Sequence, residues 1–174
     1  MISALHTPRL ELVPLDPVAI RHLIAGDRSA AEGVVGRPLP EEFPDRDDLA
    51  GFLPVQLKRM EESPDQREWM ARLMVDQTGT VIGHCGFHGP PRMIGRAEIG
   101  YTVFPPFRRQ GFAREAARAL ADWAFEQGET EVYASVSPSN APSLAVVRNL
   151  GFREVGVQED EVDGTELVFA LTRA

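Results

Sequence analysis

The chain has 174 residues, a length typical of one domain, and we expect a single domain over residues 1–174. Its composition of 43% hydrophobic and 25% charged residues provides enough apolar material for one continuous core without disulfides or structural metals. The net charge of -8 disfavours nonspecific binding to nucleic acid or to an acidic membrane, and it attracts cationic ligands.

Cysteine content and hydropathy indicate the cellular compartment in which the protein is expected to function. The single cysteine, Cys85, cannot form an internal disulfide, and no second cysteine can share a metal with it. We therefore expect a reducing compartment, the cytoplasm, and no metal cofactor. No stretch approaches the roughly 20 apolar residues that cross a bilayer, and the N-terminus lacks the pattern of a signal peptide. The sequence therefore predicts neither a membrane partner nor a nucleic-acid partner.

The first third of the chain predicts one strand and two helices with a loop between the helices. Asp16 matches a helix cap, with Pro17 at the first helical position. The loop is rich in proline and acidic residues. The second helix carries an apolar face, and Pro54 either kinks it or belongs to its start. In chain order the predicted elements are a strand over 9–15, a helix over 17–25, a loop over 36–48 and a helix over 48–62.

The rest of the chain predicts strands interrupted by two helices. Pro105 and Pro106 end a strand, because proline cannot donate to a ladder. After Gly111 the apolar spacing changes from two residues to about 3.6, which is typical of a helix. The predicted elements are strands over 68–75, 81–88 and 96–104, a helix over 111–128, a strand over 131–136, a helix over 139–150, and strands over 152–158 and 166–172. This order indicates a mixed sheet with helices on its faces.

The segment from Arg108 to Ala113 joins the end of a strand to the start of a helix. The first turn of a helix has N–H groups without partners and a positive dipole end, so it binds phosphate. Gly111 and Ala113 let backbone approach an anion, and Arg108, Arg109 and Arg114 add charged donors. The alternative is a helix start with a solvated basic face. The segment lacks the ending of a Walker loop and the glycine spacing of a dinucleotide fingerprint.

The order Arg108-x-x-Gly111-x-Ala113 resembles the acetyl-CoA signature of the GNAT N-acetyltransferases. Further agreement comes from Ser143 and from three short runs, which are Thr7-Pro8-Arg9-Leu10-Glu11-Leu12, Ser137-Pro138-Ser139-Asn140 and Asn149-Leu150-Gly151-Phe152. This set resembles the branch of the ribosomal-protein alanine N-acetyltransferases, the RimJ/RimL-like enzymes. The resemblance extends from about Thr7 to Thr172.

The resemblance implies an α/β (α+β) fold with a mixed central sheet of six to seven strands, splayed in the middle, and about four helices on its faces. Acetyl-CoA lies in the cleft between the splayed strands. Backbone near Tyr101 and Val103 pairs with its pantetheine arm, and Asn140 hydrogen-bonds that arm or the neighbouring backbone. The pyrophosphate is held at Arg108, Arg109, Gln110, Gly111, Phe112, Ala113 and Arg114, chiefly by backbone N–H groups from Arg109 onwards.

Acetyl transfer requires a neutral amine, so a base is needed. About a tenth of a protein α-amino group is neutral at pH 7, whereas the neutral share of a lysine is on the order of a thousandth or less. Glu98 is the first candidate base, directly or through water, because family members often carry a catalytic glutamate on this strand. The alternative is a strand glutamate that faces solvent or pairs with an arginine. His84 and His88 are weaker candidates.

The departing thiolate requires a proton. Many family members place a tyrosine seven residues after the motif asparagine, but this chain has Val147 there. Ser143 stands where the ribosomal-protein branch tends to carry a serine, and its hydroxyl is the candidate acid. The alternative is that Ser143 only caps or lines the helix while water protonates the thiolate. A backbone N–H at Val103 or a neighbour is expected to polarise the acetyl carbonyl.

The acceptor is expected to be a primary amine, foremost a protein N-terminus of the ribosomal-protein type. The alternatives are a small amine or an antibiotic, and a CoA-binding module without catalysis. The acidic residues of the 41–48 segment either attract a cationic acceptor or form an ordinary solvated loop. The oligomeric state, monomer or homodimer, stays open.

Overall fold

Eight strands form two antiparallel sheets, and the computed structural model describes all residues, 1–174. The first sheet contains, in spatial order, β1 (Leu5–His6), β2 (Leu10–Pro14), β3 (Arg72–Asp76), β4 (Val81–Phe87) and β5 (Ile99–Val103). The second contains β6 (Glu131–Val136), β7 (Arg153–Asp160) and β8 (Gly164–Thr172), with β8 in the middle. Every hydrogen-bonded strand pair within each sheet is antiparallel.

A single parallel bridge joins the two sheets. Glu98, directly before β5, is bridged to Tyr133 of β6, and the Tyr133 N–H donates to the carbonyl of Ala97 over 2.8 Å. Beyond this bridge β5 and β6 share no ladder, so the edges of the two strands diverge. This is the splayed sheet that the family resemblance implies, and it leaves a cleft between the sheets.

Six α-helices, one π-helical turn and two 3-10 segments connect the strands. The α-helices are α1 (Pro17–Ile24), α2 (Arg28–Val35), α3 (Leu53–Glu62), α4 (Pro91–Ile94), α5 (Phe112–Glu126) and α6 (Ala141–Asn149). A π-helical turn spans Asp48–Phe52, and 3-10 segments span Pro64–Trp69 and Pro105–Phe107. None of these helices combines the length and the apolar character that crossing a bilayer requires.

Helix α5 packs on one face of the first sheet through small side chains. Four alanines on this face of α5 are fully buried, so the helix lies close to the strands: Ala116, Ala117, Ala121 and Ala124. Trp69 closes the same core, with its ring 4.8 Å from that of Phe87 and 4.6 Å from that of Trp123. This packing fixes the start of α5 just beyond the end of β5.

The opposite face of the first sheet is covered by α1, α3 and the loop before the π-helical turn. Its core includes Ile20, Phe43, Leu53 and Met70, each fully buried. The 41–48 segment is therefore anchored by an apolar side chain. Arg28 of α2 also holds this segment, because its guanidinium donates to the Phe43 carbonyl over 2.9 Å.

Several predicted elements match the structure. The Asp16 side chain accepts a hydrogen bond from the Val18 N–H at the start of α1, as a cap does. Strand β6 has the predicted bounds, and α5 and α6 lie within theirs. The two possibilities for Pro54 are resolved, since it lies at the start of α3, where a missing N–H costs no helical hydrogen bond.

Other predictions of local structure were wrong. The strand predicted from residue 68 begins only at Arg72, because Pro64 starts a helical segment and Trp69 turns into the core instead of alternating in a ladder. The helix predicted from residue 48 begins with a π-helical turn. The two sheets together contain eight strands and the fold contains six α-helices, more than expected, because β1, α2 and α4 are short and lack a long apolar period.

Candidate active site

The edge of β5 that faces β6 carries unpaired backbone groups. The His88 N–H donates to the Glu98 carbonyl and the Phe104 N–H to the Ile82 carbonyl, so the even-numbered residues from 98 to 104 pair with β4. Antiparallel pairing alternates, and therefore the N–H and C=O groups of Tyr101 and Val103 point into the cleft. These are the two residues whose backbone the family resemblance assigns to the pantetheine arm.

A cavity of about 310 Å³ occupies the cleft. Its walls come from both splayed strands, from the start of α6 and from the β7–β8 hairpin. The strand residues in the wall are Ile99, Gly100, Tyr101, Ala134, Ser135 and Val136. The cavity also reaches Asn140 and Ser143, so Tyr101 and both α6 residues that the sequence singled out line one space.

The loop before α5 presents a continuous row of free amides. None of the six backbone N–H groups from Arg109 to Arg114 donates a hydrogen bond within the protein. Arg109 and Gly111 have φ values of 62° and 81°, so the backbone turns through the left-handed region at both. No side chain caps the helix at Gly111. Free amides at the positive end of a 15-residue helix are suited to bind an anion, and we call this segment the anion-binding loop.

Arg108 belongs to this loop but points back to the strand. Its Nε donates to the Val103 carbonyl over 2.9 Å, which satisfies one of the cleft-facing groups of β5. Arg108 therefore links the anion-binding loop to the strand edge. The Val103 N–H has no such side-chain partner.

Arg9, to which the sequence analysis gave no role, supports the loop from the β1–β2 turn. Its guanidinium donates to the Gln110 carbonyl over 2.8 Å and lies 4.4 Å from the centre of the Phe112 ring. One of its nitrogens is 3.3 Å from the position that a Cβ at Gly111 would occupy. A fourth basic side chain therefore adjoins the free amides. Only the position of Arg9 within the family-like opening run hinted at it.

Glu115 of α5 holds Arg9 and the preceding turn in place. Its carboxylate accepts hydrogen bonds from the Thr7 hydroxyl at 2.5 Å, the Arg9 N–H at 2.8 Å and the Arg9 Nε at 2.7 Å. Burial raises the pKa of this carboxyl, but the hydrogen bonds from Thr7 and Arg9 together outweigh it and bring the pKa below the usual 4.5. The N-terminal strands are thus tied to the anion-binding end of α5.

Asn140 and Ser143 form the first turn of α6. Asn140 Oδ1 accepts the Ser143 N–H over 3.2 Å and so caps the helix. The Ser143 hydroxyl has no hydrogen-bond partner in the protein, which leaves it available to a bound molecule. The Tyr101 hydroxyl donates to the Ser143 carbonyl over 3.5 Å, and burial raises the pKa of that phenol. Tyr101 therefore spans the cleft as a neutral side chain.

Glu98 lies at the vertex of the cleft and is buried. One oxygen accepts the Ser135 hydroxyl at 2.6 Å and the other accepts Arg96 Nε at 2.8 Å. Of the alternatives for this residue, exposure to solvent is wrong, whereas pairing with an arginine is present. His88 Nδ1 is 3.5 Å from Glu98 Oε1, and 47% of the His88 side chain is exposed.

His84, the other histidine that the sequence suggested, lies outside the cleft. It is buried against Phe52 and Phe43, with ring centres 4.3 Å and 5.5 Å away. Its Nε2 is 3.6 Å from Asp48 Oδ1. Burial raises the pKa of Asp48, but the nearby His84 ring and the hydrogen bonds with Asp45 leave it below its usual value. His84 therefore packs against the 41–48 segment and does not line the cleft cavity.

A second cavity, of about 460 Å³, adjoins the first beyond Glu98. The two cavities share His88, Asp163 and Glu166, and the second also contains Asp160 and Arg59. Three carboxylates of the β7–β8 hairpin thus surround this opening. The acidic residues of the 41–48 segment line neither cavity.

Two further features lie outside the cleft. A cavity of about 680 Å³ is a groove between residues 5–9 and the exposed side of α5, and it reaches the start of α5 at Gly111 and Arg114. Cys85 is buried, and burial raises the pKa of its thiol to about 12. The thiol therefore stays protonated and is no candidate for carrying an acyl group.

Comparison with known proteins matches this geometry to a family. Residues 9–153 match the family model described as an acetyltransferase (GNAT) domain. The chain is 37% identical over 89 residues to an uncharacterised N-acetyltransferase of Bacillus licheniformis, which covers 51% of this chain and 50% of the relative. The chain thus spans about half the length of the curated relatives it matches.

Solved structures match over nearly the whole chain. An acetyltransferase of Agrobacterium tumefaciens is 29% identical, with a TM-score of 0.67, over 99% of this chain and 96% of that chain. RimL, a ribosomal-protein α-N-acetyltransferase solved with coenzyme A, is 16% identical, with a TM-score of 0.68, over 98% of each chain. The likeness to RimL concerns the fold alone.

Replacing Glu115 by alanine is expected to lower the free energy of unfolding by about 2 kcal/mol at pH 7, because three donors lose a charged acceptor. The folded-state pKa lies below 4.5, so the stabilisation is fully present above that pH and is lost as the pH falls through the lower value. Urea unfolding of wild type and variant between pH 7 and pH 3 measures this. Glu126→Ala, an exposed position on the same helix, is the control, and an equal difference at pH 7 and pH 3 would contradict the assignment.

Proposed function

The chain belongs to the GNAT acetyltransferase family, and we propose that it transfers the acetyl group of acetyl-CoA to a primary amine, foremost a protein N-terminal amine. One observation carries the proposal. A row of six free amides at the start of α5 directly follows a strand edge whose own backbone groups face a cleft. A diphosphate joined to an amide-containing arm requires this combination of an anion site and an unpaired strand edge.

The residues present fit acetyl-CoA. The N–H groups of residues 109–114 would hold the pyrophosphate, with Arg108, Arg109 and Arg114 as the charged donors that the sequence suggested. Arg9 adds a fourth guanidinium beside Gly111. The cleft-facing groups of Tyr101 and Val103 would pair with the amides of the pantetheine arm. When bound, acetyl-CoA supplies an activated thioester.

Three groups around the cleft would perform the chemistry. The free Val103 N–H, or that of a neighbouring residue, would polarise the thioester carbonyl. Glu98, at the vertex, and the groups next to it would accept the proton that the attacking amine loses. The unpartnered Ser143 hydroxyl would deliver a proton to the sulfur as the C–S bond breaks. No covalent intermediate on the protein is needed, which agrees with the inert Cys85 thiol.

The hairpin carboxylates favour a cationic acceptor. Asp160, Asp163 and Glu166 border the opening next to Glu98, so an ammonium group would be attracted there before it loses its proton. A protein N-terminus fits because about a tenth of such amines is already neutral at pH 7. The fold-level likeness to RimL supports the same acceptor class. A small amine or an antibiotic is the second candidate, since the same carboxylates suit a polyamine or an aminoglycoside.

An acceptor screen separates these candidates. Peptides with N-terminal alanine, a polyamine and an aminoglycoside are each offered with acetyl-CoA, and free thiol release is recorded. We expect the highest kcat/KM with a peptide. A preference for the polyamine or aminoglycoside would move the assignment to the second candidate. Binding of acetyl-CoA without thiol release for any acceptor would show a CoA-binding module instead of an enzyme.

Saturating acetyl-CoA is expected to raise the melting temperature of the wild type, since a ligand at about 100 times its Kd stabilises the native state by about 2.7 kcal/mol. Gly111→Glu should abolish the ligand-induced rise, because its carboxylate repels the pyrophosphate. Gly111→Ala places a side chain at the same unfavourable φ but adds no charge. It therefore separates the effect of backbone strain from that of repulsion between the carboxylate and the pyrophosphate. Gly33→Glu, in open space on α2, should keep the full rise. An unchanged rise in Gly111→Glu would contradict the assigned pyrophosphate site.

Ser143→Ala is expected to lower kcat by about 10²-fold while leaving the KM for acetyl-CoA nearly unchanged, since general acid catalysis acts on the transition state. Steady-state kinetics with the best acceptor of the screen measures both constants. Ser29→Ala, on the exposed side of α2, is the matched control. Equal kcat for Ser143→Ala and wild type would remove Ser143 from the reaction and leave water as the acid.

A further inference from the structure

We propose that His88 is the residue that takes the proton from the attacking amine, and that Glu98 is its positioning residue. This inference rests on the proposed acetyl transfer and names the atom, His88 Nε2, at which the proton arrives. It rests on the arrangement of His88, Glu98 and Gly100 on one face of the β4–β5 pair.

The backbone places His88 and Glu98 opposite each other. The His88 N–H donates to the Glu98 carbonyl over 2.8 Å, directly before β5 begins and directly after β4 ends. Directly opposed residues of an antiparallel pair project their side chains to the same face. Nδ1 of His88 accordingly lies 3.5 Å from Oε1 of Glu98. Because the Glu98 carboxylate faces Nδ1 of His88, the other ring nitrogen, Nε2, is free to face the cleft.

Gly100 makes room for that second nitrogen. Nε2 of His88 lies 3.0 Å from the position that a Cβ at Gly100 would occupy, so the ring covers the strand where a side chain would otherwise stand. Gly100 lines the cleft cavity between Ile99 and Tyr101. His88 Nε2 is therefore beside the strand edge assigned to the thioester arm. His88 also lines the second cavity, through which the acceptor is proposed to enter.

Glu98 is poorly placed to take the proton itself. Its side chain is 8% exposed, and Ser135 and Arg96 already donate to its two oxygens. His88 is half-exposed and shared by both cavities. The Glu98 carboxylate, 3.5 Å from Nδ1, can orient the His88 ring. An imidazole oriented by a carboxylate is an effective base near neutral pH.

The step balances as a direct transfer. The neutral amine nitrogen attacks the acetyl carbonyl carbon, the N–C bond forms, and the nitrogen's excess proton passes to His88 Nε2. The C–S bond then breaks, its electron pair stays on sulfur, and the sulfur takes a proton through Ser143 or water. His88 afterwards releases its proton to solvent through the second cavity. The products are the N-acetyl amine and the free thiol.

Other charged groups also face His88. Arg96 pairs with Glu98, and Arg59 of α3 lines the second cavity. Asp160, Asp163 and Glu166 contribute negative charge from the β7–β8 hairpin. If the pH dependence of kcat came from one of these neighbouring groups, it would persist when His88 is replaced. The His88→Gln variant therefore separates the effect of the histidine on kcat from that of its neighbours.

The test compares the pH dependence of kcat in wild type, His88→Gln and Glu98→Gln, with the best acceptor of the screen. In the wild type kcat should rise with pH as the base loses its proton. His88→Gln should lower kcat about 10²-fold and lose this rise, with the KM for acetyl-CoA unchanged. Glu98→Gln should lower kcat but retain the rise, because His88 keeps its proton-accepting atom and loses only the group that positions it. His22→Gln, on α1, is the matched control.

The alternative outcomes are distinct. If His88→Gln keeps the wild-type profile while Glu98→Gln loses it, Glu98 is the base and the inference is overturned. A wild-type kcat in His88→Gln overturns it equally. A melting temperature of His88→Gln equal to that of wild type is expected for a half-exposed side chain and removes misfolding as the cause. Absence of transfer by the wild type to every acceptor would instead contradict the proposed function on which the inference rests.

Discussion

The bridge between Glu98 and Tyr133 decides where β5 and β6 are joined and where they are free. Because the two strands pair at this one point, the backbone of Tyr101 and Val103 faces an open strand edge instead of a neighbouring strand, and Tyr101 lines the cavity there. An unpaired strand edge within a sheet normally costs stability or is covered. Here it lies inside the fold, beside the anion-binding loop, and is available to a ligand that carries its own amides. The absence of a ladder between β5 and β6 beyond the bridge therefore creates the strand edge on which the proposed function depends.

The loop before α5 depends on contacts from the other end of the chain. Glu115 binds the β1–β2 turn, and Arg9 from that turn binds the Gln110 carbonyl beside the free amides. The basic groups near these amides are thus locally arranged in a chain whose net charge is -8. The acidic surplus appears elsewhere, including the β7–β8 hairpin at the second opening of the cleft. The basic groups at the loop before α5 suit the proposed anionic acyl donor. The carboxylates of the β7–β8 hairpin suit the proposed cationic acceptor.

The features predictable from sequence are those with local signals. The change of apolar period after Gly111 indicates a helix start, and the strand before Pro105 follows from alternation, so the position of the loop between β5 and α5 was predicted correctly. Features set by tertiary contacts were not predictable. Arg9 and Glu115 are 106 positions apart in the sequence, so their ion pair was not predictable, and the burial of Glu98 depends on Ser135 of another sheet. The sequence left two roles open for the acidic 41–48 segment, and its position outside both cavities follows from tertiary contacts of Phe43 and His84.

Amide hydrogen exchange of residues 109–114, followed with and without saturating acetyl-CoA, tests the central claim most directly. The account predicts rapid exchange of these six amides in the free protein, since none has an internal acceptor, and marked protection of them together with Tyr101 and Val103 when the ligand is bound. Saturated binding that leaves residues 109–114 unprotected, or that protects only the groove between residues 5–9 and α5, would contradict it.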